Sequence, residues 1–514
     1  MIMNLFAMRL AGRGKPHGVA GGELSSARAR LRFGVGLLLV AQVFLTGCLV
    51  GPDYHRPEDK TIPAAYTVAT IDTFDTNSLW KVAEPQGELP KGNWWEMFGD
   101  PELNDLETQA AHANPQLKAA VNRFDEARAQ MDITRAGLFP SVDVAANGVR
   151  QRISPNQPSV ITGAPVGFKA TFSDYTLPLD FTYEVDIWGS VRRSVEFSRD
   201  QAQATADELA TVNLDIQAEV AMDYFGLRAF DSELAVLRSS IYVFNRAYDL
   251  TVDQRHGGIA TDLEVAQAQT VLRTTEAQLP SVMLQRAQME HALAVLAGQP
   301  APTFHIPEQI LTIAPPLIPS GLPSQLLERR PDISTAERFM AAANANIGVA
   351  KAAFFPTVQF NGLGGLQSIS FGSLMNASSR IWAVGPTITL PIFEGGRLRA
   401  GFRLAKATYE EMVNNYRQSV LFAFSDVEDS LAAQSLLAIQ YGAESDALLA
   451  ARKQLELANI QFRDGLITFL DVATAESTEL NVEFSTVQIR GQQLVATVSL
   501  IKALGGGWQE PKNQ

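Results

Sequence analysis

Apolar residues recur every three or four positions through Leu209, Val212, Ile216, Val220, Tyr224, Leu227, Phe244 and Tyr248, and no proline falls between Leu179 and Leu279. This periodicity predicts one very long helix, residues 190 to 256. A second proline-free stretch, Ile392 to Glu510, carries Val413, Tyr416, Val420, Phe424, Val427 and Leu431 in the same steps. At 1.5 Å per residue each long helix reaches about 100 Å, several times the width of an ordinary domain. Shorter helical patterns cover 115–138 and 262–297, then 332–354 and 469–503. Laid end to end, two short helices match one long one, so antiparallel pairing with coiled-coil-like seams closes the arrangement.

Between the helices the period changes to two. Tyr175, Leu177, Leu179, Phe181, Tyr183, Val185 and Ile187 alternate with Asp174, Thr176, Pro178, Asp180, Thr182, Glu184 and Asp186, giving a strand with one apolar and one acidic face. Looser alternation marks 141–151, 357–366 and 380–390, where Trp382, Val384, Ile388 and Leu390 share a side. The expectation is four strands per chain, about 141–151, 172–187, 357–366 and 380–390. Such lengths and faces suit a transmembrane β-barrel. Four strands cannot enclose an aqueous pore, and open edges are not tolerated in lipid, so several chains must share one barrel. Three chains would supply 12 strands, an even number within the known range.

The helical and strand patterns occur twice. A shift of 216 pairs Pro115 with Pro331 and Phe139-Pro140-Ser141-Val142 with Phe355-Pro356-Thr357-Val358. A shift of 207 pairs Gln254 with Gln461, Gly258 with Gly465, Thr261 with Thr468, Leu263 with Leu470 and Gly298 with Gly505. The chain therefore reads as two internal repeats, 100–298 and 332–508, joined by a linker at 299–331 and followed by a tail at 509–514. A period this long is too large for a solenoid array.

Composition sharpens this picture. The 514 residues are 46% hydrophobic and 19% charged, which excludes a disordered or collagen-like chain. Arg28, Arg30 and Arg32 precede an apolar run from Phe33 to Leu45 that ends at Thr46-Gly47-Cys48. The run is too short to span a bilayer and reads as a secretory signal peptide, residues 1–47. The stretch ahead of it is long for an n-region, as a misassigned start codon would give. The remaining residues carry 36 Lys/Arg against 54 Asp/Glu, a net charge of −18 that argues against nucleic acid as a partner. Cys48 is the single cysteine, so disulfides and multi-cysteine metal sites are excluded. Residues 48–99 form an N-terminal segment expected to be extended.

Leu45-Thr46-Gly47-Cys48 resembles a bacterial lipobox, which implies acylation of Cys48 and anchoring in outer-membrane lipid. With it, Gly51-Pro52-Asp53-Tyr54, Trp94-Trp95-Glu96-Met97-Phe98-Gly99-Asp100-Pro101-Glu102-Leu103, the two Phe-Pro-Ser/Thr-Val elements and Lys502-Ala503-Leu504-Gly505-Gly506-Gly507-Trp508 resemble the TolC/OprM/NodT family of outer-membrane efflux lipoproteins. The resemblance implies an α+β membrane protein: a homotrimer with a 12-stranded β-barrel continued by a long periplasmic α-helical barrel. It further implies a passive exit channel of a tripartite pump, gated at its periplasmic tip, whose partners are a periplasmic adaptor and an inner-membrane efflux transporter. Carried onto this chain, the adaptor would touch the turns at Gly258, Ile259, Phe462, Gly465 and Leu466. Asp471 falls on the first of two positions where the family places pore-constricting acids, and Glu264 is its repeat counterpart. The second position is Thr474, and the arginine that closes some members is Ile467 here. Arg463 is the nearest substitute.

No phosphate-binding Gly-Lys-Ser/Thr loop, zinc-protease His pair or serine-hydrolase elbow occurs, so neither an enzyme nor a bound cofactor is expected. Gly362-Leu363-Gly364-Gly365 lies in a strand and opens no helix, unlike a dinucleotide fingerprint. The rival to a channel is a non-conducting periplasmic coiled-coil scaffold, which leaves the amphipathic strands without a purpose. The sequence does not name the cargo.

Overall fold

A computed structural model of the chain describes residues 49–56, 92–152, 171–316, 318 and 329–506. Cys48, the signal segment and Trp508 lie outside the described residues. The chain divides into two compact units. One comprises Leu49 and Val50 with Ser141–Ser190 and Phe355–Leu390; the other comprises Gly51–Pro140, Val191–Phe354 and the chain from Pro391.

The first unit is an antiparallel sheet of β1 (Ser141–Val144), β2 (Asn147–Arg152), β3 (Thr171–Glu184), β4 (Thr357–Ser368) and β5 (Arg380–Thr389). β1 and β2 both pair with β3, which pairs with β4, which pairs with β5. The strand expected over 141–151 is thus split in two. Its cause is Pro178, which stands opposite the gap: Ala145 N still donates to Pro178 O at 3.2 Å, but the imide returns no bond. The register continues unshifted across the break, Val144 opposite Leu179 and Asn147 opposite Thr176. Opposed residues share a face, so Val142, Phe181, Gly362 and Val384 line up across the sheet, as do Val144, Leu179, Gly364 and Trp382. The other face aligns Glu184, Gln359 and Thr387. The Phe-Pro element has a role here: Trp188 stacks on Phe355 at 4.7 Å and its Nε1 donates to Pro356 O.

The second unit is helical. It contains α1 (Pro101–Ala113), α2 (Pro115–Ala136), α3 (Ser190–His256), α4 (Asp262–Leu296), α5 (Pro331–Ala352), α6 (Arg397–Arg463) and α7 (Phe469–Ala503). The two long helices have 67 residues each, α4 and α7 have 35 each, and α2 and α5 have 22 each. α4 runs through Pro280 without a break. Neither α1 nor the 3-10 turn Trp94–Phe98 ahead of it stands out as periodic sequence, and the turn corrects the expectation of an extended segment there. Asp100 organises both. Its Oδ1 accepts from Glu102 N to cap α1, and its Oδ2 accepts from the buried Tyr224 hydroxyl of α3 at 2.5 Å. Trp94, Trp95 and Phe98 then enter the main core with Phe225 and Leu227 of α3 and Leu494 and Val498 of α7.

Two chain segments are strapped onto the helices by polar contacts. Asp53 accepts from Arg193 of α3 at 2.9 Å, and the Tyr54 hydroxyl donates to Glu337 of α5 at 2.5 Å. Gly51 sits at φ +129° with Gly348 so near that an added Cβ would approach its Cα to 2.6 Å, so only glycine fits. The linker is held by a buried pair of arginines: Arg228 donates to Asp231 and Pro307 O, and Arg286 to Asp231 and Ile306 O. Glu290 completes the clamp, accepting from Arg286 and from Ile306 N.

Glu107 of α1 is 1% exposed, and both its carboxylate oxygens lack a hydrogen-bond partner among the described residues. Burial pushes its carboxyl up to about 9. The folded chain therefore keeps the proton where the unfolded chain has released it, and stability falls as pH rises from the ordinary glutamate value towards 9. Glu107→Gln removes that penalty. Thermal unfolding of the detergent-extracted protein should show the variant more stable than the parent at pH 8, with the gap closing towards pH 5.

Candidate functional site

Each long helix ends in a glycine turn that leads into a shorter partner helix. After α3, Gly258 N donates to Arg255 O at 3.0 Å and Ile259 N to Gln254 O at 2.8 Å. After α6, Gly465 N donates to Phe462 O at 3.0 Å and Leu466 N to Gln461 O at 2.9 Å. This is the Schellman pattern, with the glycine left-handed at φ +76° and +73°. A Cβ on either glycine would meet no atom within 4 Å, so the backbone conformation and not crowding demands glycine.

The helices that leave the turns start on capping boxes. Thr261 N and Oγ1 donate to Glu264 Oε2 at 2.6 and 2.9 Å, and Thr468 N and Oγ1 donate to Asp471 Oδ2 at 2.9 and 2.8 Å. Backbone and hydroxyl bonds from Thr261 hold Glu264 below the usual carboxylate range, and those from Thr468 do the same for Asp471. The two acids singled out as gate candidates thus have a structural task, which uses one oxygen of each. Both caps are at full strength at neutral pH and weaken, as charge-assisted bonds become neutral ones, when acid protonates these groups.

The apolar tips of the turns face outward: Ile259 is 79% exposed and Leu466 73%. Phe462 lies partly buried, its ring edge-on to Phe469 at 6.1 Å. Ile467 packs beside Ala458, Val472 and Ala475, while Arg463 donates to Asn459 O of its own helix. The Thr474 hydroxyl likewise turns back to Leu470 O. Sequence reasoning missed the bridges across the turns. Arg255 donates to both oxygens of Asp262 at 2.6 and 3.1 Å across the first, where Phe462 and Phe469 meet across the second. Both pairs are seven residues apart around the glycine, which was the signal available. Among the described residues no group of three or more His, Cys, Asp or Glu could hold a metal, and no helix is long and apolar enough to cross a membrane.

The family model for outer membrane efflux proteins matches this chain twice, over residues 106–299 and 322–506. The probable efflux pump outer membrane protein TtgC of Pseudomonas putida is 32% identical over 490 residues, spanning 93% of this chain and 96% of that protein. The outer membrane protein OprJ of Pseudomonas aeruginosa is 31% identical over 494 residues, spanning 94% and 97%. The crystal structure of the CmeC outer membrane channel of Campylobacter jejuni superimposes with a TM-score of 0.81 at 26% identity, covering 91% of this chain and 96% of that one.

Because Gly465 needs its positive φ but has open space around it, Gly465→Ala should cost about 1 kcal/mol, the left-handed penalty for a residue with a Cβ. Gly465→Asn should cost less, since asparagine enters that conformation more readily. Thermal denaturation of the two variants beside the parent checks the order.

Proposed function

Since the chain belongs to the outer membrane efflux protein family, we propose that it is the outer-membrane exit channel of a tripartite efflux pump and conducts cargo passively. Three copies would bring their sheets edge to edge into a 12-stranded barrel, with the helices forming a duct in the periplasm. Acylation of Cys48 would add a lipid anchor. The observation that carries this reading is the sheet: a face of Val142, Val144, Leu179, Trp382, Val384 and Ile388, all exposed, backed by a face rich in Asp, Glu, Thr and Gln. Only a lipid exterior and a wet interior suit both faces at once.

The turns at Gly258 and Gly465 would form the duct's closed end. Their outward Ile259 and Leu466 give a periplasmic adaptor an apolar contact on each hairpin, with Phe462 behind. An inner-membrane transporter would load the cargo and supply the driving force. One turn into α4 and α7, Glu264 and Asp471 would place a ring of negative charge at the constriction and favour cations there. Docking of the adaptor would splay the hairpins and widen that ring.

The charge can be removed without removing the caps, because an amide at the third helical position still accepts from the Thr backbone. In planar bilayers, the Glu264→Gln, Asp471→Asn double variant should lose the cation preference of the parent channel while assembling as well. Unchanged selectivity would take both acids out of the conduction path, and a parent that stays without conductance even after its hairpin turns are removed would overturn the channel.

A further inference from the structure

The charged residues of the sheet are sorted by face. Opposed residues share a face, and by that rule Asp143, Asp174, Asp180 and Glu184 all stand on the side of Gln359 and Thr387. Arg150, Arg152 and Arg380 all stand on the other side, with Leu177, Leu366 and Trp382. The five strands hold no charged residue besides these. The three arginines are exposed, and they gather at one end of the sheet. The connections to helices, before Ser141 and Thr357 and after Glu184 and Thr389, all leave from the opposite end. No acid occurs between Asp143 and Asp174 or between Glu337 and Glu394, so the segments that build the arginine end carry basic residues only, in a chain whose net charge is strongly negative.

Two further features of the same face lie near them. Tyr175, on the arginine side, meets Phe371 of the β4–β5 loop edge-on at 5.8 Å, an aromatic pair of the kind that borders the apolar band of a barrel. Gly362 and Gly364 leave β4 bare between Leu179 and Phe181 of β3 and Trp382 and Val384 of β5. A Cβ on Gly364 would meet nothing within 4 Å, and Trp382 beside it is 80% exposed. Across β4 the flanking strands stand roughly 10 Å apart, so one hydrocarbon chain fits in the trough between their side chains. The trough runs along β4 towards Leu366, whose opposed partner is Arg380. Arginine can lay its stem on such a surface and hold its guanidinium at the level of the headgroups. An apolar trough that ends beside a cation is complementary to a lipid with an anionic headgroup.

We propose that Arg150, Arg152 and Arg380 bind the phosphate groups of a phosphorylated glycolipid in the outer leaflet, with an acyl chain laid over Gly362 and Gly364. This rests on the assembled-channel reading above and adds a lipid ligand to it. In that reading the helices stand in the periplasm, so the loop end of the sheet reaches the outer leaflet. Head-to-tail closure sets β5 of one copy beside β1 and β2 of the next, because these strands are the open edges. Arg380 of one copy then approaches Arg150 and Arg152 of its neighbour. Like charges so placed repel one another. A phosphate removes that repulsion by accepting paired hydrogen bonds from the guanidinium groups. The carboxylates that could have neutralised the arginines, and would have repelled the lipid, are confined to the opposite face.

The full chain, extracted in detergent and stripped of co-purified lipid, is titrated with diphosphorylated lipid A and followed by native mass spectrometry. The parent should hold the lipid, and joint replacement Arg150→Gln, Arg152→Gln and Arg380→Gln should weaken binding about tenfold or more. Lipid A from which both phosphates have been removed should bind the parent as weakly, an arm that needs no variant to fold. Asp174→Asn, on the opposite face, should leave binding unchanged, and inorganic phosphate at the same concentration should not displace the lipid. Equal binding with and without the phosphates, equal binding by the assembled arginine variant, a matching loss in Asp174→Asn, or displacement by inorganic phosphate would each overturn the site. The masses recorded in the same spectra separate the two readings. A monomeric parent overturns the assembled channel and this site together, whereas an oligomer indifferent to the phosphates overturns the lipid site alone.

Discussion

The interaction on which the rest depends is the hydrogen bonding of a sheet that has two open edges. β1 with β2 bounds it on one side and β5 on the other, and its exposed apolar face calls for hydrocarbon. Hydrocarbon cannot satisfy the unpaired N–H and C=O groups of an edge strand, so a lipid-facing sheet of this kind must continue into another sheet until it closes. On the proposed channel reading, that requirement would set the number of copies that share one barrel. A scaffold of helices alone would have no use for the sheet.

The helical unit shows how one pattern serves two tasks. Both turns have the same backbone: a left-handed glycine, then a threonine that caps the next helix through an acid three residues on. With the backbone fixed in common, side chains are free to differ, and they do so across each turn. Arg255 and Asp262 make a solvated ion pair in the first; Phe462 and Phe469 make an apolar pair in the second, which packs further onto Tyr248, Ala268 and Val271. Glu264 and Asp471 combine a cap with a place one turn from the tip. A carboxylate there serves local stability whatever else it does, so under the proposed channel reading the same groups would place charge at a constriction at little extra cost.

Much of this was legible in the residues. The long helices follow from uninterrupted three-and-four spacing and the absence of proline, and β3 from strict alternation between Asp174 and Ile187. Gly258 and Gly465 were legible as helix caps. The split of the first strand was not, because its cause, Pro178, lies on the partner strand and register is invisible in one sequence. α1 was missed although Asp100-Pro101 is a fair start signal, because only Leu103, Leu106 and Ala110 carry its apolar face. The motifs quoted for the family had no stated purpose until contacts gave one: Asp53 and Tyr54 fasten the N-terminal segment to Arg193 and Glu337, and Asp100 joins α1 to Tyr224. The acids near the tip read as gate candidates, and their bonds to Thr261 and Thr468 emerge only in the folded chain, since Thr-x-x-acid spacing marks a cap without excluding other work.

The measurement that tests the central claim most directly is the native mass of the full chain extracted in detergent from the outer-membrane fraction. The account requires three protomers in one lipid-bearing particle, because a sheet four strands wide, with β1 and β2 in line along one side of β3, closes into one barrel only when copies share it. A monomer recovered from the soluble envelope would contradict it, for then the apolar face and both sheet edges would have to be covered by something other than lipid and further copies.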